Sequence, residues 1–265
     1  MIVIKKSHEI EAMRVSGQAV GRVLAALIRF AEPGMTTRGI DEEAARLISE
    51  EGGTSAFLGY RGFPGNICIS VNEEIVHGIG GDRKLNYGDL LKMDVGIIID
   101  GWVGDSAVTV PVGAVDSETD QLVQATDQSL WAGIDQARAG NHLGDICSAI
   151  EQTIIEKGYY IVREFVGHGV GRKLHEDPQI PNYGKRGHGP LLKPGMTFAI
   201  EPMVNLGTAS IKMMSDGWTV TTADLKPSAH IEHTVLITEG DPEILTPRPG
   251  VIYSDKIQVS SQANA

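Results

Sequence analysis

Four acidic residues lie within apolar segments that are expected to form buried strands, and this pattern constrains the chain more than any other. Glu201 lies in residues 195–205, which read Gly-Met-Thr-Phe-Ala-Ile-Glu-Pro-Met-Val-Asn. Asp94, Asp105 and Glu232 have similar apolar surroundings in three other segments. A carboxylate removed from water must be paired, protonated or bound to metal. One such acid could be exposed on a wrongly assigned strand, but four of them favour a shared positive charge, most simply a metal cluster.

The composition is that of a globular protein with one large domain or two half-domains. The chain has 265 residues, of which 42% are apolar and 22% charged, and this length can bury a full core. Its net charge of −11 argues against a nucleic acid or an anionic membrane as partner. The two cysteines, Cys68 and Cys147, form no Cys-x-x-Cys motif and indicate neither a disulfide scaffold nor a thiolate zinc site. The apolar run at the N-terminus is too short for a signal peptide or a membrane span, so a cytoplasmic enzyme is expected.

Apolar periodicity predicts four helices. The first is expected to begin at a Ser7 cap and to end before Pro33, and the second to run from Thr36 or Thr37 to before Gly52. The third is expected to begin at a capping box of Ser117 with Asp120 and to end at about Ala139. The fourth is expected to run from about Asn141 to Lys157. Strands are expected over residues 66–71, on both sides of the Asp100-Gly101 turn, and around Phe165, Glu201, Trp218 and Glu232. The polar tail over 254–265 is expected to be frayed.

The chain also contains a candidate internal repeat. Two helices bounded by glycines, over residues 34–52 and 140–158, are each preceded by a helix and followed by strands. A glycine precedes both Asp94 and Glu201 by six residues. We therefore expect one catalytic domain over 1–265 whose halves, roughly 7–113 and 117–250, each deliver two acids to a site between them. The alternative is coincidence in a chain with 32 glycines.

Histidines and strand alternation refine this picture. His168 lies in a glycine-rich segment, and His77 and His175 lie in similar short motifs, although each could be an ordinary loop residue. His233 is expected to point away from Glu232, its neighbour on the strand, whereas Lys92 and Gly96 share a strand face with Asp94. The remaining histidines are expected on the surface: His8, His142, His188 and His230.

Four carboxylates and one imidazole, without thiolate, suit hard or borderline divalent ions. Their charge is too large for one ion and fits two, and without metal the acids should partly protonate. A two-metal site can hold a bridging hydroxide at neutral pH, which indicates hydrolysis.

At this point the chain resembles the methionine aminopeptidases of the type I, bacterial-like class, in the creatinase and prolidase superfamily. The resemblance covers about residues 5–250. Its motifs are Gly-Tyr-Arg-Gly-Phe-Pro at 59–64, Cys-Ile-Ser-Val-Asn-Glu at 68–73, Val-His-Gly at 76–78, Met-Asp-Val-Gly at 93–96, Gly-Asp-Ser at 104–106, Gly-His-Gly-Val-Gly at 167–171, Leu-His-Glu-Asp-Pro at 174–178, Thr-Phe-Ala-Ile-Glu-Pro-Met at 197–203, Asp-Gly-Trp at 216–218 and Glu-His-Thr at 232–234. It implies the α/β (α+β) pita-bread fold, with two pseudo-symmetric helix-helix-strand halves around a dinuclear metal site.

The resemblance also implies residue roles. The metal ligands would be Asp94, Asp105, His168, Glu201 and Glu232, with Asp105 and Glu232 bridging the ions. Glu201 would also transfer protons, His175 would contact the scissile carbonyl oxygen, and His77 would contact the scissile nitrogen or the residue after methionine. The methionine pocket would be lined by Phe57, Tyr60, Phe63, Cys68 and Trp218. Asn72 and Ser228 match positions near a structural monovalent cation. Phe57 and Leu174 depart from the commonest pattern, where Cys and Phe are frequent, which leaves the shape of the pocket open.

The activity implied is removal of the N-terminal methionine from peptides and nascent proteins when the second residue is small. The cofactors would be two divalent ions, chosen from Co, Mn, Fe and Zn. A cytoplasmic monomer that contacts ribosomes transiently is expected. Three alternatives are less well supported: a proline-directed peptidase of the same superfamily, which usually carries an extra N-terminal domain; a non-catalytic protein of this fold, which typically lacks ligands; and a mononuclear iron oxygenase, which needs two histidines and one carboxylate.

Overall fold

The structure is a computed structural model that describes residues 1–249, so the tail expected over 254–265 lies outside the described residues. All four predicted helices are present. They are α1 (Ser7–Phe30), α2 (Thr37–Glu50), α3 (Ser117–Gln136) and α4 (Leu143–Glu156). A short 3-10 turn spans Tyr60–Gly62. Within residues 1–249, no helix is both long enough and apolar enough to cross a membrane.

The helix starts follow capping chemistry, with two corrections to the predicted caps. Thr36 caps α2 as expected, since its hydroxyl accepts from the Gly39 amide at 3.1 Å. The cap of α3 is Asp116 rather than Ser117, because the Asp116 carboxylate accepts from the Thr119 amide at 2.8 Å. Similarly, Lys6 rather than Ser7 is the capping position of α1, and its amide donates to the Glu9 carboxylate at 2.8 Å. Both predicted caps were one residue late, which is the usual scale of error at helix ends.

Fifteen strands form four antiparallel sheets among the described residues. In the first half they are β1 (Thr54–Ser55), β2 (Cys68–Val71), β3 (Glu74–Val76), β4 (Leu90–Ile99) and β5 (Trp102–Pro111). In the second half they are β6 (Tyr160–Ile161), β7 (Gly167–Gly169), β8 (Glu176–Ile180), β9 (Thr197–Ile200), β10 (Met203–Asn205), β11 (Ile211–Met213), β12 (Val220–Thr222), β13 (Ser228–His230), β14 (His233–Leu236) and β15 (Glu243–Ile244).

The sheets divide between the halves. β4 pairs with β5 on one edge and with β1 and β2 on the other. The second half contains the sheets β15-β14-β9-β7-β8 and β13-β10-β6, whereas β11-β12-β3 joins strands of both halves. The Asp100-Gly101 turn that closes the β4–β5 hairpin has both residues in the left-handed region, with φ of 50° and 75°, as a tight hairpin turn requires.

Each half has its own hydrophobic core, built from two helices against a sheet. In the first half Val20, Leu24 and Ile40 of the helices pack in one cluster with Met93 and Val95 of β4. In the second half the equivalent cluster joins the apolar faces of α3 and α4 to β9 and β14: Leu130, Ile134, Ile146, Ile150, Phe198, Ile200 and Val235. The two halves therefore repeat the helix-helix-strand order, as the resemblance implied.

The halves meet where β5 lies beside the segment that joins β13 to β14. The Glu232 amide donates to the Ala107 carbonyl at 2.9 Å. Two hydroxyls reinforce this contact, because Ser106 donates to the Glu232 carbonyl at 2.6 Å and Thr234 donates to the Asp105 carbonyl at 2.7 Å. The chain around Asp105 and the chain around Glu232 are thus held together by direct hydrogen bonds.

Candidate metal centre

The five proposed ligands come together between the two halves, although they arise from five different places in the chain. Asp94 lies in β4, Asp105 in β5 and His168 in β7. Glu201 directly follows β9, and Glu232 lies between β13 and β14. All five line one cavity of about 330 Å³. One ligand atom each of Asp105, His168 and Glu232 lie within 4.8 Å of one another.

In the first half the β4–β5 ladder sets the position of the acids. Asp94 is paired with Ala107, and Gly96 is paired with Asp105. Paired residues of an antiparallel ladder project from the same face, and so do residues two apart on one strand. The two carboxylates therefore leave the same face of the hairpin in a diagonal arrangement, while Met93 and Val95 enter the core from the other face.

The second half differs from the prediction, because Glu201 and Glu232 are not inside strands. The pairing of β9 with β14 ends at Ile200 and His233, and both glutamates lie just beyond it. Pro202 follows Glu201 directly, and a proline cannot donate a ladder hydrogen bond. The main chain at Glu201 is instead held by Asn182, whose amide donates to the Glu201 carbonyl at 3.0 Å.

The four carboxylates are buried or half-buried close to one another on the wall of the cavity. Burial, reinforced by the neighbouring acids, raises the pKa of Asp94, Asp105, Glu201 and Glu232 well above their usual values. One oxygen of each of three carboxylates is buried without a hydrogen-bond partner among residues 1–249: Asp94 Oδ1, Asp105 Oδ1 and Glu232 Oε1. Such acceptors are costly unless a cation satisfies them. The residues therefore fit a divalent metal centre.

His168 is oriented as a metal ligand. Its Nδ1 lies 2.9 Å from the Gly169 carbonyl oxygen, which can only accept, so Nδ1 carries the hydrogen. Its Nε2 therefore presents a lone pair, 3.4 Å from Glu201 Oε1 and 3.6 Å from Asp105 Oδ2. Burial lowers the pKa of His168 to about 3, which keeps the ring neutral. A neutral imidazole anchored through its other nitrogen is the form that binds metal.

His77 and His175 lie beside the acids and line the same cavity. The His175 ring lies 4.2 Å from the His168 ring, centroid to centroid, and its Nδ1 is 2.9 Å from the Tyr60 hydroxyl. His77 has a φ of 60°, an uncommon conformation outside glycine that is often found at functional sites. Burial lowers the pKa of both, that of His77 to about 4, so both rings are neutral near pH 7.

The proposed pocket residues form the apolar wall of the cavity. Phe57, Tyr60, Phe63, Cys68 and Trp218 all line it, as does Leu174. The Phe63 and Trp218 rings meet edge to face at 5.2 Å. Gly96 makes room for Phe57, because a Cβ at position 96 would lie 2.5 Å from the Phe57 ring. Burial raises the pKa of Cys68 well above its usual value, which makes it a wall of the pocket and not a nucleophile.

His230 was expected on the surface, and this prediction is wrong. His230 is 2% exposed, lines the cavity, and its Nε2 lies 3.4 Å from Glu201 Oε2. Its spacing from Glu232 could have revealed it, because residues two apart on an extended chain share a face. By contrast, His8 and His188 are exposed, and His142 is half-buried at the N-terminus of α4. His233 does not line the cavity and instead contacts the Thr246 hydroxyl at 2.9 Å, in line with its expected direction.

Arg248 stabilises the main chain near two of the proposed ligands, and no pattern in the sequence had indicated this role. Its guanidinium is buried and donates to the carbonyl of Ala107 at 2.7 Å, to the carbonyl of Glu232, and to the Ser106 hydroxyl at 3.0 Å. These contacts add to the hydrogen bonds between β5 and the Glu232 segment. Arg248 thus holds the main chain of Glu232 against β5, the strand that carries Asp105.

Asn72 and Ser228, the two positions proposed near a monovalent cation, both contact a buried lysine side chain. The main-chain oxygens of Asn72 and Ser228 both accept from the Lys92 ammonium, at 2.9 and 2.8 Å. Burial lowers the pKa of Lys92 to about 7, and the nearby Glu74 and Glu73 act in the opposite direction. The Lys92 side chain therefore contacts the main chain at both positions that the resemblance placed near a monovalent cation.

A cluster of four acids and one neutral imidazole beside an apolar cavity, on two pseudo-symmetric halves, defines a metal-dependent hydrolase site. The model of metallopeptidase family M24 matches residues 11–239, and the chain belongs to this family. Methionine aminopeptidase 1 of Bacillus subtilis (strain 168) is 46% identical over 93% of this chain and 99% of its own length.

Solved structures agree with this family. The methionine aminopeptidase from Thermotoga maritima matches with a TM-score of 0.91 and 43% identity, over 93% of this chain and 99% of that chain. The prolidase from Pyrococcus furiosus matches with a TM-score of 0.76 and 24% identity, over 92% of this chain and 65% of that chain, which shows the shared fold alone. The predicted pita-bread fold and the predicted metallo-exopeptidase class are confirmed.

Proposed function

We propose that this protein removes the N-terminal methionine from peptides and nascent proteins when the second residue is small. The observation that carries the proposal is an apolar slot that opens onto the five-ligand cluster. Methionine suits such a slot, because its side chain is unbranched and its sulfur contacts aromatic edges favourably. The methionine aminopeptidases of similar sequence support the same substrate.

The metal centre of the proposal is dinuclear. Asp94, Asp105, His168, Glu201 and Glu232 would hold two divalent ions, with Asp105 and Glu232 shared between them. When bound, such ions polarise a carbonyl oxygen and lower the pKa of a water molecule. Cobalt, manganese, iron and zinc all suit this set of ligands. The orphaned carboxylate oxygens and the orientation of His168 Nε2 support this assignment.

Three residues of the site would have separate roles in the hydrolysis. Glu201 would take a proton from the attacking water and transfer it to the leaving amide nitrogen. His175 would donate from Nε2 to the scissile carbonyl oxygen as negative charge develops, if the Tyr60 hydroxyl donates to its Nδ1. His77 is held between Phe165 and Trp218, with ring centroids 5.3 and 6.4 Å away. It would contact the scissile nitrogen or the second residue, and crowding there would exclude large second residues.

The wider proposal rests on the internal repeat, the net charge, the N-terminal sequence and the resemblance. We expect residues 1–265 to act as one catalytic domain with halves at about 7–113 and 117–250. We also expect a cytoplasmic monomer that contacts ribosomes transiently and binds neither nucleic acid nor membrane.

The experiment compares kcat/KM for Met-Ala-Ser, Leu-Ala-Ser and Met-Leu-Ser with each of the four metals. A hydrophobic pocket discriminates by about 1–3 kcal/mol per methylene-sized change, so we expect Met over Leu by at least about tenfold. An Ala-Pro dipeptide tests the proline-directed alternative, and chelated protein is the control. Equal rates on the first two peptides would make the protein a broad aminopeptidase. Saturation at one divalent ion per chain would contradict the dinuclear centre.

A further inference from the structure

Lys92 is a buried lysine whose ammonium contacts main-chain oxygens. Its side chain is 2% exposed, and its Nζ donates to the carbonyls of Asn72 at 2.9 Å and Ser228 at 2.8 Å. Lys5, another buried lysine, makes the usual arrangement, an ion pair with Glu176 at 2.8 Å. Among residues 1–249, no carboxylate forms such a pair with Lys92.

The two carbonyls come from opposite halves of the molecule. Asn72 follows β2 in the first half, and Ser228 begins β13 in the second. The Ser228 amide also donates to the Asn72 carbonyl at 3.1 Å. Asn72 has a φ of 54° and is held by its own side chain, which accepts from the Leu90 amide at 2.7 Å and donates to Asp89 at 2.9 Å. The carbonyl of Asn72 is therefore aimed across the junction between the halves.

This junction lies close in sequence to a proposed metal ligand in each half. Lys92 precedes Asp94 by two residues on β4 and shares its strand face. Ser228 precedes Glu232 by four residues. The contact therefore ties the strand that carries one first-half ligand to the segment that carries one second-half ligand.

Main-chain carbonyl oxygens that converge on one positive charge are also the ligands of free monovalent ions, as in potassium-selective sites. An ammonium group and a potassium ion carry the same charge and accept the same oxygen ligands. We propose that the ammonium of Lys92 acts as a built-in monovalent cation, in a carbonyl site that would otherwise bind a free ion such as K⁺ or Na⁺. The lysine would join the two halves beside the metal centre without any dissolved monovalent ion. This inference does not depend on which peptide the protein cleaves.

The test is cation rescue of Lys92→Ala. The melting temperature of the full-length protein, saturated with one divalent metal, is measured in chlorides of Na⁺, K⁺, NH₄⁺ and tetramethylammonium at equal ionic strength. The tetramethylammonium ion is too large for the space left by one side chain. Loss of a charged donor shared by two buried carbonyls is costly, so we expect the variant to melt roughly 5–10 °C below the wild type in tetramethylammonium. At least one small cation should recover most of this loss in a saturable way, and kcat/KM should recover with it.

The controls separate a cation site from general salt effects. Wild-type protein should melt at the same temperature in all four salts, because its cation is covalently attached. Lys92→Met fills the space without charge and should not be rescued.

Three outcomes would overturn the proposal. The first is a wild-type protein that itself needs a small monovalent cation in a saturable way. The second is Lys92→Ala with the same loss in all four salts. The third is Lys92→Ala that folds in none of them, because the proposal requires a small cation to replace the lost ammonium.

Discussion

The two halves deliver their acids to the metal centre by different means. Asp94 and Asp105 lie inside β4 and β5, which are paired residue by residue over ten positions each. Glu201 and Glu232 lie just beyond the end of the four-residue pairing of β9 with β14. The first half therefore places its acidic ligands with a rigid ladder, whereas the second half places its acidic ligands on chain that has left the ladder.

The difference matches the choice of side chain. An aspartate is shorter by one methylene and reaches the centre from a strand whose position is fixed by pairing. The glutamates are longer, and their main chain is held by contacts from outside the ladder: Asn182 at Glu201, and Ser106 and Arg248 at Glu232. Glu232 thus depends on how the halves dock, because Ser106 lies in the first half and Arg248 also contacts Ala107 there, and this dependence can be tested.

The largest effect is expected for Glu201→Gln. Loss of a proton-transferring group typically costs about 10²–10⁴ in rate, and extra divalent metal should not restore it. Asp94→Asn, at the equivalent position of the first half, should regain part of its activity at high metal concentration, because it is proposed only as a ligand. The measurement is kcat against metal concentration for both variants, with Glu42→Gln, an exposed position outside the cavity, as control. Metal rescue of Glu201→Gln would remove the proposed distinction between the two acids.

The next effect is expected for His175→Ala. Removal of one hydrogen-bond donor to a developing oxyanion costs about 10²–10³ in kcat, while the divalent metal content should stay at the wild-type value. Metal analysis and kcat are measured together, with the exposed His188→Ala as control. A variant that loses metal would show that His175 is a ligand.

A smaller effect is expected for Arg248→Met, which removes the donor to the Glu232 carbonyl while keeping most of the side-chain volume. Residues that support a ligand contribute roughly 10–100-fold to metal affinity. Calorimetric titration should show this loss, and amide hydrogen exchange should rise at residues 231–233 but not along β4. The exposed Arg22→Met, whose partner is Glu51, is the control. Equal loss of protection in β4 would mean that both halves depend on docking to the same degree.

The smallest effects are expected at the pocket wall, to which the first half contributes Phe57 and the second half contributes Leu174. Phe57→Cys should widen the slot and lower the preference for Met over Leu, whereas Leu174→Phe should narrow it and raise the preference. Each change should be about tenfold, measured as the ratio of kcat/KM for Met-Ala-Ser and Leu-Ala-Ser. The exposed Leu191→Phe is the control. A double variant with the wild-type ratio would indicate that the two side chains compensate across the pocket.

Local pattern was enough to predict the helices and the first half of the centre. Apolar periodicity placed all four helices to within a few residues, and the Asp100-Gly101 signal placed the β4–β5 hairpin. Because the side chains of a ladder alternate strictly, Asp94 and Asp105 could be placed on one face from sequence alone. The acids in apolar segments also indicated Glu201 and Glu232, since a buried charge needs a partner wherever it lies.

The sequence by itself determined which residues carry the charge, because composition and alternation are local properties of the chain. Only the tertiary structure decided where Glu201 and Glu232 leave their strands, and which distant groups hold them there. Arg248 and Lys92 read as ordinary cations in sequence. Each has a partner on the other half of the molecule: Ala107 for Arg248 and Ser228 for Lys92. Such contacts form only when the halves dock, so no local pattern in the chain encodes them.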